Sequence, residues 1–527
     1  MRALSCSLLL LALAPALSAA PDPSAASDVL RARLEAADRP TVLVGGEPLA
    51  VHPDLFRFYA GRDYAVAWDE HAGDLLPLIE ASAGDGLDPG AYHRRRIEAM
   101  QEAGNASPDV QADRDLLLTD AFLRLGEHLL RGRVDPTTIY EKWYPARRVR
   151  DLAATLETAL ASGDLGGALD GLRPQHAAYD RLRDALARTR AAAGTDLPII
   201  LPARTLEVGH ESMRVPLVRQ RLALFGEAVP EAPDSLRLVY TDALSEVVRR
   251  FQARHGLEAS GTLDQPTRHA LNRSSDDWAE ALILNLERWR WLPDSLGTRH
   301  VFVNLPAFRL QVVDDEETTL AMDVVVGKTS WYTPVLTDTM EAVIFHPTWG
   351  VPGSIARAET LPRARSRGSE YLSSRGYNVY HRGARVDPAT VNWDEAGSHE
   401  YYFIQSPGPA NPLGTVKFAF PNQRDIYIHD TNQKRLFARA KRAYSHGCIR
   451  AAEPRDLAAH LLVQQGWSDA DVDGAFARRS TQNVALREPL LVHLVYFTAH
   501  AGEGGLAFYD DVYGHDAVLA SALGLGE

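Results

Sequence analysis

The chain has 527 residues, 45% of them hydrophobic and 24% charged, which is the composition of a folded protein with about two to four domains. Its net charge of −13 gives no general attraction to nucleic acid or to anionic membranes. Partners must therefore be recognised at local sites.

The first residues read as a cleavable secretory signal over 1–20. Arg2 supplies the positive start, Ser7–Leu17 is an apolar run too short to span a bilayer, and Ser18, Ala19 and Ala20 offer the cut. Cys6 precedes the run, so cleavage removes it and leaves Cys448 as the lone thiol of an exported chain. Such a cysteine makes no internal disulfide and is either buried and inert or kept because it reacts. No later run is long and apolar enough for a membrane helix, so no integral membrane segment is expected after cleavage.

Residues 27–200 read as a helical scaffold. Within Asp115–Leu130, Leu118, Ala121, Phe122, Leu125 and Leu129 recur at three- and four-residue spacing, and Gly132 and Pro136 end the run. No chemistry is visible there. Thr195–Thr205 is a linker punctuated by prolines. Within 201–275, Thr241 and Asp242 open a helix with the apolar face Leu244, Val247, Val248 and Phe251. A turn at His255-Gly256 and another helix after Asp264 and Pro266 follow. From Arg299 the period changes to short β-branched and aromatic runs such as "HVFVNLPAFRLQVVDD", "VKFAF" and "DIYIHD". Residues 276–500 are thus expected to be mostly β, with one helix after Glu453-Pro454, and 501–527 form a C-terminal extension. Between about 352 and 400 the strand pattern lapses into a stretch too long for a plain connection. Its first half carries Arg357, Arg363, Arg365, Arg367 and Arg375 against only Glu359 and Glu370.

The thiol lies in "AYSHGCIR". A nucleophilic cysteine needs a base within hydrogen-bond reach and donors aimed at the oxyanion formed on attack. Gly447 permits a tight turn in which the N–H groups of Gly447 and Cys448 point one way. Two histidines are candidates for the base. His446, two residues away, shares a side with the thiol if the segment is extended, and braces the loop if it turns tightly. His429 ends a strand 19 positions upstream, across a polar loop. A zinc hydrolase built on His429, His446 and Cys448 is a rival reading, but no neighbouring carboxylate or CxxC supports it. No metal or cofactor is expected.

The string "IYIHDTNQKRLFARAKRAYSHGCIR" resembles the catalytic signature of the L,D-transpeptidases, with His429, Ser445, His446, Gly447, Cys448, Ile449 and Arg450 in place. Residues 201–275 resemble a three-helix peptidoglycan-binding module through Phe251-Gln252, Gly256-Leu257, Gly261, Thr267 and Leu271. "NLERWRWLP", "HPTWGVPGSI" and "PGPANPLGTVKFAFPN" look like the long periplasmic subgroup. The resemblance implies an α+β multidomain protein: a helical scaffold, the small three-helix module, and a mostly β catalytic domain with an inserted lid. It implies that Cys448, activated by His429 and set by Gly447, attacks a peptidoglycan tetrapeptide stem, releases D-alanine and forms a 3→3 cross-link. Long-form relatives often carry Ser where His446 stands, which moves the base assignment to His429. Arg450 is the expected partner of stem carboxylates, with Ser445 and His446 beside it. Tyr427 and Trp349 are pocket walls or β core. Expected partners are stem peptides and glycan in the periplasm, with other cell-wall synthases left open. A carboxypeptidase, a lipoprotein-attaching transpeptidase and a non-catalytic cell-wall-binding scaffold are the alternatives. The family is inhibited by carbapenems, which acylate its cysteine.

Overall fold

The structure is a computed structural model that describes residues 23–68, 70–103, 107–144, 147–191, 197–397, 400–502 and 505–525. The secretory signal, Cys6, the first two residues of the Thr195–Thr205 linker and residues 398–399 of the expected lid lie outside them. The chain divides into two compact units.

The first unit lies within Met1–Ala83, Asp88–Glu127 and Arg150–Leu172. It is helical as expected, except that Thr41–Val44 and Glu47–Ala50 pair as an antiparallel hairpin. Gly45 and Gly46, both at positive φ, make its turn. The helix Pro108–Arg131 buries Leu118, Ala121, Phe122, Leu125 and Leu129, and also Leu116, Leu117 and Leu123. It is therefore apolar on more sides than one stripe. Its polar residues enter the core satisfied: Asp115 accepts from the Tyr59 hydroxyl at 2.6 Å and from the Trp68 N–H at 3.0 Å.

The second unit comprises Gly84–Leu87, His128–Val149 and Arg173–Glu527. Arg214–Leu224, Asp242–Arg254 and Gln265–Leu271 form the three-helix module. Thr241 caps the second helix by accepting from the Leu244 N–H at 3.2 Å, and Leu244, Val247, Val248 and Phe251 are its buried face. These helices share one core with the helix Ala177–Ala191 and with Phe302, Val495 and Phe497 of the following domain.

The large sheet of that domain runs in the order Val416–Ala419, Ile428–His429, Ile449–Ala451, Glu317–Gly327, Arg309–Asp314, Arg299–Asn304, Gln482–Val495, Val335–Phe345 and Trp143–Tyr144. Val416–Ala419 also pairs antiparallel with Val335–Phe345, so the sheet closes on itself around an aliphatic core. The helix expected after Glu453 is Pro454–Leu462.

The stretch after Pro352 is more ordered than its composition suggests. It forms the helix Leu361–Ser374, and Tyr377–His381 and Ala384–Val386 join Tyr401–Gln405 and Trp349–Gly350 in a separate four-stranded antiparallel sheet. Leu361, Ala364, Leu372, Val379, Trp393 and Phe403 give it a core of its own. Gly368 (φ +72°) breaks the helix in the middle, which hides the helical period from the sequence. The arginines separate by role. Arg365 donates to the carbonyls of Trp393 and Ala396, both at 3.0 Å, and ties the helix down. Arg363, Arg367 and Arg375 line the adjacent cleft.

Candidate active site

Three neighbouring strands build the site. Ile428–His429 pairs parallel with Ile449–Ala451, with Ile428 opposite Ile449 and His429 opposite Arg450. On its other side it pairs antiparallel with Val416–Ala419, where Lys417 faces His429 and Phe418 faces Ile428. Successive strand residues alternate faces and cross-strand partners share one. Val416, Phe418, Ile428 and Ile449 accordingly fill the core, all fully buried. Lys417, Tyr427, His429, Cys448 and Arg450 project together from the opposite face.

Ser445, His446 and Gly447 form the turn before Cys448. Gly447 has φ +114°, a conformation that only glycine adopts readily. The Ser445 hydroxyl accepts from the Gly447 N–H at 3.1 Å and donates to the Cys448 carbonyl at 2.5 Å. The Thr333 hydroxyl clamps the Gly447 carbonyl at 2.8 Å. Ser445 is thus spent inside the turn, and it occupies one of the two N–H groups expected to point at an oxyanion. Among the described residues the Cys448 N–H has no acceptor and is the donor on offer.

The thiol of Cys448 opens onto a cleft of about 870 Å³, which also receives Trp349, Tyr427, His429, His446 and Arg450. Burial pushes the thiol up to about 11, opposed by Tyr427 and by the charges of Lys417 and Arg450. The resting S–H points at the Asp425 carbonyl, 3.5 Å away, rather than at His429. Tyr427 and Trp349 both line the cleft.

His429 is buried. Its Nδ1 donates to the Asp430 carbonyl, which leaves Nε2 as the free acceptor nitrogen. Burial, and then the charge of Arg450, push the imidazole down to about 3, so it is neutral across the physiological range. Asp430 itself is held by the Thr415 N–H and hydroxyl, both at 2.8 Å, and by Lys434 at 2.6 Å.

His446 takes the bracing role. Its Nε2 meets Glu359 at 2.7 Å and its ring sits edge-on to Trp331 at 4.9 Å. Glu359 also receives Arg363 at 2.8 Å, so this contact joins the turn before Cys448 to the segment after Pro352. Among the described residues no group of three or more His, Cys, Asp or Glu side chains is arranged to hold a metal. None of the described helices is long and apolar enough to cross a membrane.

Sequence reasoning missed Lys417 and Glu359. The alternation in "VKFAF" turns Lys417 away from the core, but its register with His429 depends on a pairing that the sequence does not announce.

Comparison with known proteins bears on three stretches of the chain. Residues 298–469 match the L,D-transpeptidase catalytic domain, residues 212–271 the "Putative peptidoglycan binding domain", and residues 53–186 a scaffold domain. A curated protein of Haemophilus influenzae named "Putative L,D-transpeptidase" is 31% identical over 238 residues, which is 45% of this chain and 48% of that protein. The match thus spans about half the length of that relative. Among solved structures, an L,D-transpeptidase of Xylanimonas cellulosilytica is 15% identical, covering 57% of this chain and 100% of that one with a TM-score of 0.18. An L,D-transpeptidase of Stackebrandtia nassauensis is 11% identical, covering 57% and 97% with a TM-score of 0.23. Scores that low carry no argument about the site. The domain matches show the chain's organisation: it joins a scaffold domain and a peptidoglycan-binding domain to an L,D-transpeptidase catalytic domain.

Proposed function

We propose that this protein is an exported peptidoglycan L,D-transpeptidase that works through a Cys448 acyl-enzyme. The observation that carries the reading is the thiol at a cleft wall that Tyr427 also lines, with the free Nε2 of a neutral His429 on the same sheet face. On substrate entry the S–H turns from the Asp425 carbonyl to His429 Nε2. The sulfur attacks the carbonyl of the third stem residue while its proton passes to His429. The Cys448 N–H faces the oxyanion that forms. The tetrahedral centre collapses to a thioester, and His429 returns the proton to the departing amine of D-alanine. The side-chain amine of a second stem then attacks the thioester, giving a 3→3 cross-link and restoring the thiol.

The charge of the cleft supports this substrate class. The protein is acidic overall, yet Arg363, Arg367, Arg375 and Arg450 all line the cleft, which suits a peptide rich in carboxylates. Tyr371 stands between Arg367 and Arg375, whose guanidinium carbons lie 6.0 and 5.1 Å from its ring centre.

Incubation with a carbapenem should add one adduct mass to the protein, located at Cys448. Retention of the adduct in Cys448→Ala, or its absence from the wild type, would overturn the nucleophile. Muropeptide analysis after incubation with tetrapeptide sacculi tests the acceptor. Cross-linked dimers are the expected product, and tripeptides alone would reassign the enzyme as a carboxypeptidase.

A further inference from the structure

Cys448 faces a charge problem that His429 does not solve. A neutral, buried imidazole flanked by cations is a poor counter-ion for a thiolate. Two cations share the register: Lys417 and Arg450 stand on either side of His429, one on each neighbouring strand. Neither has a carboxylate within ion-pair distance among the described residues. Arg450 donates one bond, to the neutral Gln433 side chain at 3.2 Å, and its buried Nε has no acceptor. The Lys417 ammonium has only the face of Tyr427, 3.9 Å from the ring centre. The Tyr427 ring in turn lines the same cleft as Cys448.

Two unpaired cations in a half-buried row are costly unless an anion belongs there. The anion the row can hold is the sulfur. We propose that Lys417 is a positioning residue of the reaction: from the face of Tyr427 it supplies the positive field that stabilises the Cys448 thiolate. The inference rests on the reading of Cys448 as the nucleophile.

The arrangement also sets the direction of proton flow. When the sulfur gives its proton to His429, the new imidazolium lies between two like charges and is a strong acid. It therefore passes the proton on readily to the leaving amine. The sulfur's negative charge goes to the carbonyl oxygen as the C–S bond forms, so the field of Lys417 matters most before and during attack. Consistent with this geometry, burial lowers the Lys417 ammonium, and the charges of Cys448 and then Asp425 draw it back up.

Other titratable groups face the sulfur and are left in place by the test: Tyr427 and Asp425 before the His429 strand, His429 on it, Arg450 after the thiol, and the Glu359–His446 pair beyond the turn. The experiment is the pH dependence of Cys448 alkylation by iodoacetamide, followed by intact mass on the full chain, with Cys448→Ala as the blank. Lys417→Met should move the alkaline rise of the rate upward by roughly one pH unit, the usual effect of one nearby charge. Lys417→Arg should restore most of the shift, and Lys417→Gln serves if the Met variant fails to fold. Profiles that superimpose on the wild type, or an Arg variant shifted as far as the uncharged one, would overturn the proposal. Alkylation needs no peptidoglycan. A Lys417-dependent shift in a protein inert toward stem peptides would therefore refute the proposed function and leave this inference standing.

Discussion

Replacing Gly447 by alanine isolates the backbone contribution to the site. A Cβ at this position would meet Ile426 Cδ1 at 3.4 Å and the carbonyls of Trp331 and Tyr332 at 3.8 and 4.0 Å, which are ordinary contacts. The cost is therefore torsional rather than steric. Holding a non-glycine residue at φ +114° costs about 1–3 kcal/mol. The turn can keep its shape and carry that strain, or relax and release the Ser445 and Thr333 hydrogen bonds that orient Cys448. If the strain must be met to reach the attacking geometry, acylation slows by about 5- to 150-fold, at 1.36 kcal/mol per tenfold. The assay is the rate of carbapenem adduct formation by quenched-flow mass spectrometry. Gly466→Ala is the comparator: its φ of +84° demands a similar torsional cost, with nothing within 4 Å of the added methyl and no place in the cleft lining. It should acylate at the wild-type rate. Wild-type acylation by Gly447→Ala, or equal slowing in both variants, would refute the assignment of the turn.

Two further outcomes separate residues that the motif alone leaves together. His429→Ala should lower acylation by roughly 10²-fold or more, the usual span of general-base catalysis, whereas His446→Ser should be milder because His446 braces Glu359; the reverse order would exchange their roles. Replacing Arg363, Arg367 and Arg375 together by Gln should weaken use of a tetrapeptide donor, less so at high salt, and leave a small carbapenem almost unaffected. Arg365→Gln should instead loosen the lid, because it abandons two carbonyls, and hydrogen exchange across Leu361–Ser374 should rise. Equal effects of the triple variant on both ligands would remove the arginines from substrate binding.

Much of the site was legible because its chemistry is local. A glycine turn, a cysteine behind it and a histidine closing the preceding strand are sequence neighbours, and "SHGC" and "DIYIH" announce them. The three-helix module was legible for a similar reason, since caps and the period of Leu244, Val247, Val248 and Phe251 are encoded within a dozen residues. The segment after Pro352 was not. Its helix is broken at Gly368, and its short strands pair with Trp349–Gly350 and Tyr401–Gln405 from outside the stretch.

By itself, then, the sequence determined where the lone thiol, its glycine turn and two candidate histidines lie and what kind of domain holds them, because residue type and short spacing announce these features. Tertiary structure alone decided which groups set their charge. Lys417 meets His429 through strand register, and Glu359 meets His446 across 87 positions of chain (446 minus 359). Register depends on which strand lies beside which, and that is settled by the packing of Val416, Phe418, Ile428 and Ile449 on the buried face of the sheet. The charged groups around Cys448 and His429 are therefore placed by side chains on the opposite face of the sheet.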